Sequence, residues 1–263
     1  MKHFLYWTAA ILTAGLLNGC KPQNTDSLHA GTVVRDTICD VPCCVYLPAD
    51  YPSPEHSPLY PVLYLHHGMY GIEEDWTAKG RLVEIMDSLL RAGQVKEMVV
   101  IMPDNCPHRP TADEERANAM NGEWERRFEA FMAEAEAKYR ISNDPSLRAI
   151  AGLSMGGFHT LHVSHHLHGQ FAYVGLFSAA ILPTAPNEMY YNWENEVREQ
   201  IQTTTLYWIG IGKEDFLYDF NVQYRRWLET NHLEYTYYES AGGHTWDNWQ
   251  DYLCRFLTKI FKS

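Results

Sequence analysis

Leu147–Gly157, LRAIAGLSMGG, reads as a short apolar strand running straight into a G-x-S-x-G turn, with helix-compatible sequence after it. Ser154 stands at the apex. A side chain forced to the tip of a sharp strand-to-helix elbow needs neighbours without bulky Cβ substituents, and Gly152 and Gly156 flank it. Gly157 then lets the helix pack closely. The first N–H groups of that helix lack intrahelical partners and lie at the positive end of its dipole, so negative charge forming on a carbonyl oxygen is stabilised there. The backbone N–H of Met155 is the expected donor.

Working outward, apolar runs alternate with helical stripes. Thr32–Leu47 suggests extended structure from its β-branched residues, and Val62–His66 is a short apolar strand that stops at His67-Gly68-Met69. Thr77–Gln94 carries Leu82, Val83, Ile85, Met86, Leu89 and Leu90 at helical spacing, and Met98–Met102 is a buried strand. Asn105–Asn121 reads as a long irregular stretch. A second helical stripe follows from Trp124 to Tyr139. Beyond the elbow, Phe171–Phe177, Thr205–Ile211 and Tyr235–Glu239 read as strands, and Trp246–Phe261 as a closing helix. This alternation predicts an α/β fold with a mostly parallel sheet covered by helices on both faces.

Residues 1–20, MKHFLYWTAAILTAGLLNGC, carry one lysine near the start, then an apolar run too short to span a bilayer comfortably, then small residues before Cys20. The ending Leu17-Asn18-Gly19-Cys20 resembles a bacterial lipobox. The expectation is a signal peptide over 1–19, lipidation at Cys20, a polar tether over 20–31 and one catalytic domain over 32–263. It makes the protein an exported, membrane-anchored bacterial lipoprotein, periplasmic or at the cell surface. Removing residues 1–19 takes away Lys2 and no acid, leaving 20 basic against 33 acidic residues and a formal charge of −13. Such a balance argues against nucleic-acid binding. Five cysteines follow Cys20, namely Cys39, Cys43, Cys44, Cys106 and Cys254, and an odd number leaves at least one thiol unpaired. The C-D-V-P-C-C run has no second cluster at zinc-ligand spacing.

In a sheet of this kind functional groups gather beyond the carboxyl ends of the strands. Directly after the TLYWIGI strand comes Gly212-Lys213-Glu214-Asp215, whose Asp215 is the candidate orienting acid, with Glu214 on the same turn as its rival. Between the last strand and the closing helix, Gly242-Gly243-His244 offers a general base on a loop that paired glycines allow to swing over Ser154. The order Ser, Asp, His is that of a nucleophile elbow with its partners downstream. A second oxyanion donor is expected in the loop after the early strand, at the backbone N–H of Met69. His159, His162 and His166 fall near one helix face, but no acidic pattern accompanies them, and packing or surface positions are expected. Tyr190, Tyr191 and Trp193 are candidate substrate contacts, able to stack on a phenolic acyl group or a sugar ring.

The segments LHHGMYGIEEDW, AGLSMGGFHTL, GLFSAA, IGKEDFLY and GGHTWDNW, in this order and spacing, resemble the esterase D and feruloyl esterase group, carbohydrate esterase family 1 and its relatives, over residues 40–261. The resemblance implies an α/β-hydrolase fold with Ser154, Asp215 and His244 as triad and Met69 and Met155 at the oxyanion positions. It implies a serine ester hydrolase needing no metal or organic cofactor. Feruloyl or acetyl esters of plant polysaccharide, or related small esters, are the substrates it suggests. Acyl transfer and hydrolysis of S-formylglutathione or siderophore-type esters are the alternatives, with a serine peptidase or a non-catalytic binding protein further off.

Overall fold

Thr32–Leu47 folds back on itself as an antiparallel hairpin, β1 (Thr32–Ile38) and β2 (Val41–Leu47), turning at Cys39 and Asp40, both with positive φ. The structure is a computed structural model that describes residues 30–49, 51, 59–106, 111–181 and 193–262. The remaining strands are β3 (Val62–His66), β4 (Val99–Pro103), β5 (Arg148–Leu153), β6 (Tyr173–Phe177), β7 (Leu206–Gly212) and β8 (Thr236–Ser240). Among the described residues the eight strands form one sheet in the order β1-β2-β4-β3-β5-β6-β7-β8. The β1/β2 and β2/β4 pairs are antiparallel and every pair from β4 onward is parallel.

Each central strand divides its side chains between two cores, as a period of two demands. Cys43, Tyr64, Ile101, Ile150, Val174 and Ile209 face one core; Cys44, Leu65, Met102, Ala151, Phe177 and Trp208 face the other. Helices α4 (Glu123–Lys138), α5 (Met155–His166), α6 (Trp193–Thr203) and α7 (Tyr218–Thr230) cover the first face. The second is covered by α1 (Asp75–Ala78), α2 (Leu82–Arg91) and α8 (Trp246–Leu257). Burial on both faces explains why β3 to β7 read as continuous apolar runs rather than as alternating ones.

Two expectations need correction. The single helix expected over Thr77–Gln94 is broken into α1 and α2: the chain wraps closely round Trp76, whose ring a Cβ at Gly80 would strike, and Arg81 turns left-handed at φ 53°. Trp76 is fully buried and its indole N–H donates to the His66 carbonyl at 2.9 Å. The stretch expected to be irregular contains a helix, α3 (Ala112–Met120). Thr111 caps it by accepting the Glu114 N–H, while the Glu114 carboxylate receives the Thr111 N–H at 2.8 Å. All five described cysteines are free thiols, and Cys43 and Cys44, as neighbours on one strand, point into opposite cores.

Candidate active site

Ser154 links β5 to α5 with φ 54° and ψ −119°, a conformation that costs a non-glycine residue about 1–3 kcal/mol. A serine at a helix start ordinarily accepts an N–H of the first turn. Ser154 makes no such capping bond, so its hydroxyl stays out of the helix. The backbone is pinned instead: the Ser154 N–H donates to the Phe177 carbonyl at 3.0 Å, and its carbonyl receives the Ala180 N–H at 2.9 Å and the Phe158 N–H at 3.1 Å. Ser154 is half-buried and its backbone is held by three hydrogen bonds.

The loop after β3 lies directly on this elbow. A Cβ on Gly156 would run into the His67 carbonyl, and one on Gly68 would sit 2.7 Å from Leu153 Cδ1 and 3.2 Å from Ser154 Cβ. Gly156 is therefore set by close approach of backbone to backbone, and Gly68 by the Leu153 side chain packed against it. Met155 is buried in a small cluster with Ala119, Phe158, Ala180, Ile211 and Leu217, and Met69 packs against the same cluster. The structure thus brings Met69, Met155 and Ser154 to one place.

Asp215 and His244 meet beyond the ends of β7 and β8. The turn Gly212–Asp215, closed by the Asp215 N–H on the Gly212 carbonyl at 3.1 Å, sends the Asp215 side chain inward, fully buried, and leaves Glu214 exposed. Asp215 is accordingly the partner: His244 Nδ1 is 2.9 Å from its Oδ2 and 3.1 Å from its Oδ1. Burial works to raise the Asp215 carboxyl, but hydrogen bonds from His244 and from the Leu217 N–H, at 2.9 Å, outweigh it and hold the carboxyl below its ordinary value. A carboxylate there fixes the proton on Nδ1 and turns Nε2 outward as a base.

The His244 loop is folded across the β7 loop by the Glu214 N–H bonding the Gly242 carbonyl at 3.0 Å, with Gly242 at φ 80°, and by Asn248 donating to the Gly243 carbonyl at 2.8 Å. Phe216 and Trp249 flank the imidazole, with ring centroids 4.5 and 4.8 Å away. Phe216 directly follows Asp215, and Trp249 belongs to the apolar side of the closing helix; neither carries a local signature of the imidazole it meets. Because β5, β6, β7 and β8 are consecutive and parallel in the sheet, with Leu153, Phe177 and Gly210 side by side, the loops after them leave from one edge.

The other candidates lie apart. Trp193 packs against the core with its ring 5.1 Å from Trp227, while Tyr190, Tyr191 and Cys20 fall outside the described residues. His159 Nδ1 is 2.9 Å from Glu125 Oε1 inside the protein, His162 lies 4.3 Å from the Phe158 ring with burial pushing it down to about 3, and His166 is exposed. Among the described residues no group of His, Cys, Asp or Glu is placed to hold a metal ion. A groove of about 710 Å³ lined by Gln94, Thr205, Leu206, Thr258, Lys259 and Lys262 opens at the start of β7, the opposite end of the sheet from Asp215.

A hydroxyl on a strained elbow, an imidazole in contact with a buried carboxylate, and backbone N–H groups at a helix start are the kinds of group that acyl transfer through a covalent intermediate uses. Known proteins of this shape include esterases and a hydrolase. The ferulic acid esterase AmCE1/Fae1A of Anaeromyces mucronatus superposes with a TM-score of 0.72 at 24% identity, covering 92% of this chain and 94% of that one. The S-formylglutathione hydrolase FrmB of Staphylococcus aureus does so at 0.70 and 18% identity, covering 88% and 95%. These likenesses show the fold. In sequence, an endo-1,4-beta-xylanase/feruloyl esterase of Xylanibacter ruminicola is 30% identical over 141 residues, which are 51% of this chain and 19% of that protein. The chain thus spans about a fifth of that relative's length. The Esterase family model matches residues 36–260, a span holding the elbow, the acid, the histidine and the loop after β3, and the chain belongs to the Esterase family.

Proposed function

We propose that the protein is a serine carboxylic-ester hydrolase working through an acyl-enzyme on Ser154. The observation that carries this reading is the contact of His244 with the buried Asp215 carboxylate beyond β7 and β8, in the same parallel sheet whose β5 ends in the Ser154 elbow. His244 takes the Ser154 proton as the oxygen attacks the ester carbonyl, and the N–H groups of Met69 and Met155 receive the oxyanion. Collapse expels the alcohol, which takes the proton from His244. Water, deprotonated by the same imidazole, then attacks the acyl group and releases the acid.

For substrate we infer feruloyl or acetyl esters of plant polysaccharide, or small esters related to them. Support comes from the feruloyl esterase in the description of the Xylanibacter ruminicola relative and from the AmCE1/Fae1A structure, at 22% identity, solved with ferulic acid. The test is a panel of acetylated xylan, feruloyl arabinoxylan and simple acyl esters on wild type and Ser154→Ala. Turnover must vanish in the variant, and retained hydrolysis would overturn the nucleophile. Adding sugar acceptors and analysing the products distinguishes hydrolysis from transfer.

For location we infer an exported lipoprotein, with residues 1–19 removed, Cys20 lipidated, 20–31 as tether and 32–263 as the catalytic domain. The lipobox-like Leu17-Asn18-Gly19-Cys20 supports it. Cys20→Ala is expected to abolish processing and to move the protein out of the membrane fraction; unchanged fractionation rejects the anchor.

A further inference from the structure

His66 is the last residue of β3 and His67 the first residue of the loop after it, and their side chains meet different partners. His66 turns into the helix-covered core, where its Nε2 accepts the Trp124 indole N–H at 3.1 Å and its Nδ1 lies 3.2 Å from Thr160 Oγ1. His67 turns instead onto its own loop. Its Nδ1 is 2.7 Å from the Gly68 carbonyl oxygen, and that oxygen also receives the Gly71 N–H at 3.0 Å.

We propose that His67 is a positioning residue that aims the Met69 N–H at the reacting carbonyl, which rests on the ester-hydrolase reading above. The reason lies in the peptide unit. The Gly68 carbonyl and the Met69 N–H belong to one planar trans peptide and point in opposite directions, so fixing the carbonyl fixes the donor. With His67 and Gly71 both donating to it, the Gly68 oxygen has both lone pairs engaged and its plane cannot rotate without breaking two hydrogen bonds.

The partners also set the tautomer of His67. A carbonyl oxygen only accepts, so Nδ1 carries the proton and Nε2 presents a lone pair, which receives the Asn105 N–H at 3.3 Å. Asp104 Oδ1 lies 3.4 Å from the same nitrogen and itself accepts the Cys106 N–H at 3.1 Å, while the Asp104 N–H donates to Pro42 at 2.8 Å. The ring is thereby held at both edges, by its own loop and by the end of β4. His67 and Asp104 are each 1% exposed. A side chain needed only to fill that space would be less costly to bury if it were apolar. The His67 carbonyl, pressed against Gly156, ties the same residue to the elbow, so the ring, the Gly68 peptide and Ser154 share one frame.

Asparagine and glutamine separate the two edges of the ring. In His67→Asn the amide nitrogen stands as many bonds from Cα as Nδ1 and can donate to Gly68. In His67→Gln the amide lies one carbon further out, able to accept from Asn105 but not to restrain the Gly68 carbonyl. With 4-nitrophenyl acetate as substrate, His67→Gln is expected to lose about 30-fold in kcat with KM within about twofold. That is less than the 10²–10³ lost when an oxyanion donor is removed altogether, since here the donor is misaimed rather than absent. His67→Asn is expected to recover most of that loss. Equal kcat in the two variants, or parallel changes in kcat and KM that track a fall in thermal midpoint, would mean that the ring only fills space. Imidazole nitrogen NMR on the wild type serves if the glutamine variant does not fold: His67 must show a protonated Nδ1 and a bare Nε2, and the reverse tautomer overturns the proposal. Ser154→Ala keeps the two levels apart. Turnover in that variant rejects the nucleophile and the aim together, whereas a dead Ser154→Ala beside indistinguishable His67 variants rejects the aim alone.

Discussion

Asp215 and His244 meet through side chains, whereas the proposed oxyanion donors of Met69 and Met155 are backbone N–H groups whose own side chains merely pack in a neighbouring cluster. The first pair depends on residue identity: only a carboxylate and an imidazole give that contact. The second depends on shape, held by Gly156, which allows two backbones to touch, by Gly68 against the Leu153 side chain, and by a histidine whose target is a carbonyl. A substitution should therefore act on the acid–base side through what the residue is, and on the oxyanion side through what its neighbours allow.

The largest break is expected on the acid–base side. Asp215→Asn keeps the size of the side chain but removes the charge that holds Nδ1 protonated, and kcat should fall by about 10³–10⁴. Glu214→Ala, one residue away and exposed, should leave kcat within about twofold, as surface changes do. Asp215→Asn also has a pH signature. Because the Asp215 carboxyl is held below its ordinary value in the folded protein, it contributes stability that is present above the unfolded value of about 3.9 and lost as pH falls through the folded one. The thermal midpoint of Asp215→Asn should lie below wild type at pH 7, and the gap should narrow as pH falls below the ordinary carboxylate value. A gap that persists undiminished into acid would break the assignment of that stability to the charge.

Gly156→Ala tests shape without touching a reactive group. Its Cβ would press on the His67 carbonyl, a backbone atom that cannot swing aside, so loop and elbow must separate. Displacements of about 1 Å near a reacting centre can cost about 10²-fold. We expect kcat to fall by about ten- to a hundredfold, with a lowered thermal midpoint. Wild-type turnover would show that the two backbones are not in register for the reaction.

The same contrast explains what could be read from the chain and what could not. Residue types with obligatory chemistry were legible: Ser154 between its glycines, His244 after Gly242-Gly243, and the two-faced apolar strands from Val62–His66 to Leu206–Gly212. The choice between Glu214 and Asp215 was not, because adjacent carboxylates differ only in which way a turn points them. The role of the His67 side chain was not legible, since a histidine beside glycine carries no local signature of the carbonyl it will bond. Gly80 and Arg81 broke a helix whose apolar spacing continues across the break, a tertiary demand of Trp76 that periodicity does not record. The helix Ala112–Met120 had a readable start, Thr111 three residues before Glu114, but too few apolar residues to betray its period. Trp193 was singled out for its ring alone, and a ring fits the flank of a core, where it meets Trp227, as well as it fits a ligand.

The smallest effect should come from the residue whose number labels the donor. Met69→Ala leaves the Met69 amide in place, the Gly68 carbonyl still held by His67 and Gly71, and the loop still pressed on the elbow. What it removes is a half-buried side chain against the cluster of Met155, Phe158 and Leu217, a loss of about 1 kcal/mol or less in stability for a side chain not fully enclosed. On this reasoning kcat should stay within about threefold of wild type, far from the loss expected of His67→Gln two residues earlier. Steady-state kinetics of the two variants side by side make the contrast quantitative. Should Met69→Ala lose as much as His67→Gln, the loop would be acting through its side chains after all, and the division between a side of identity and a side of shape would dissolve.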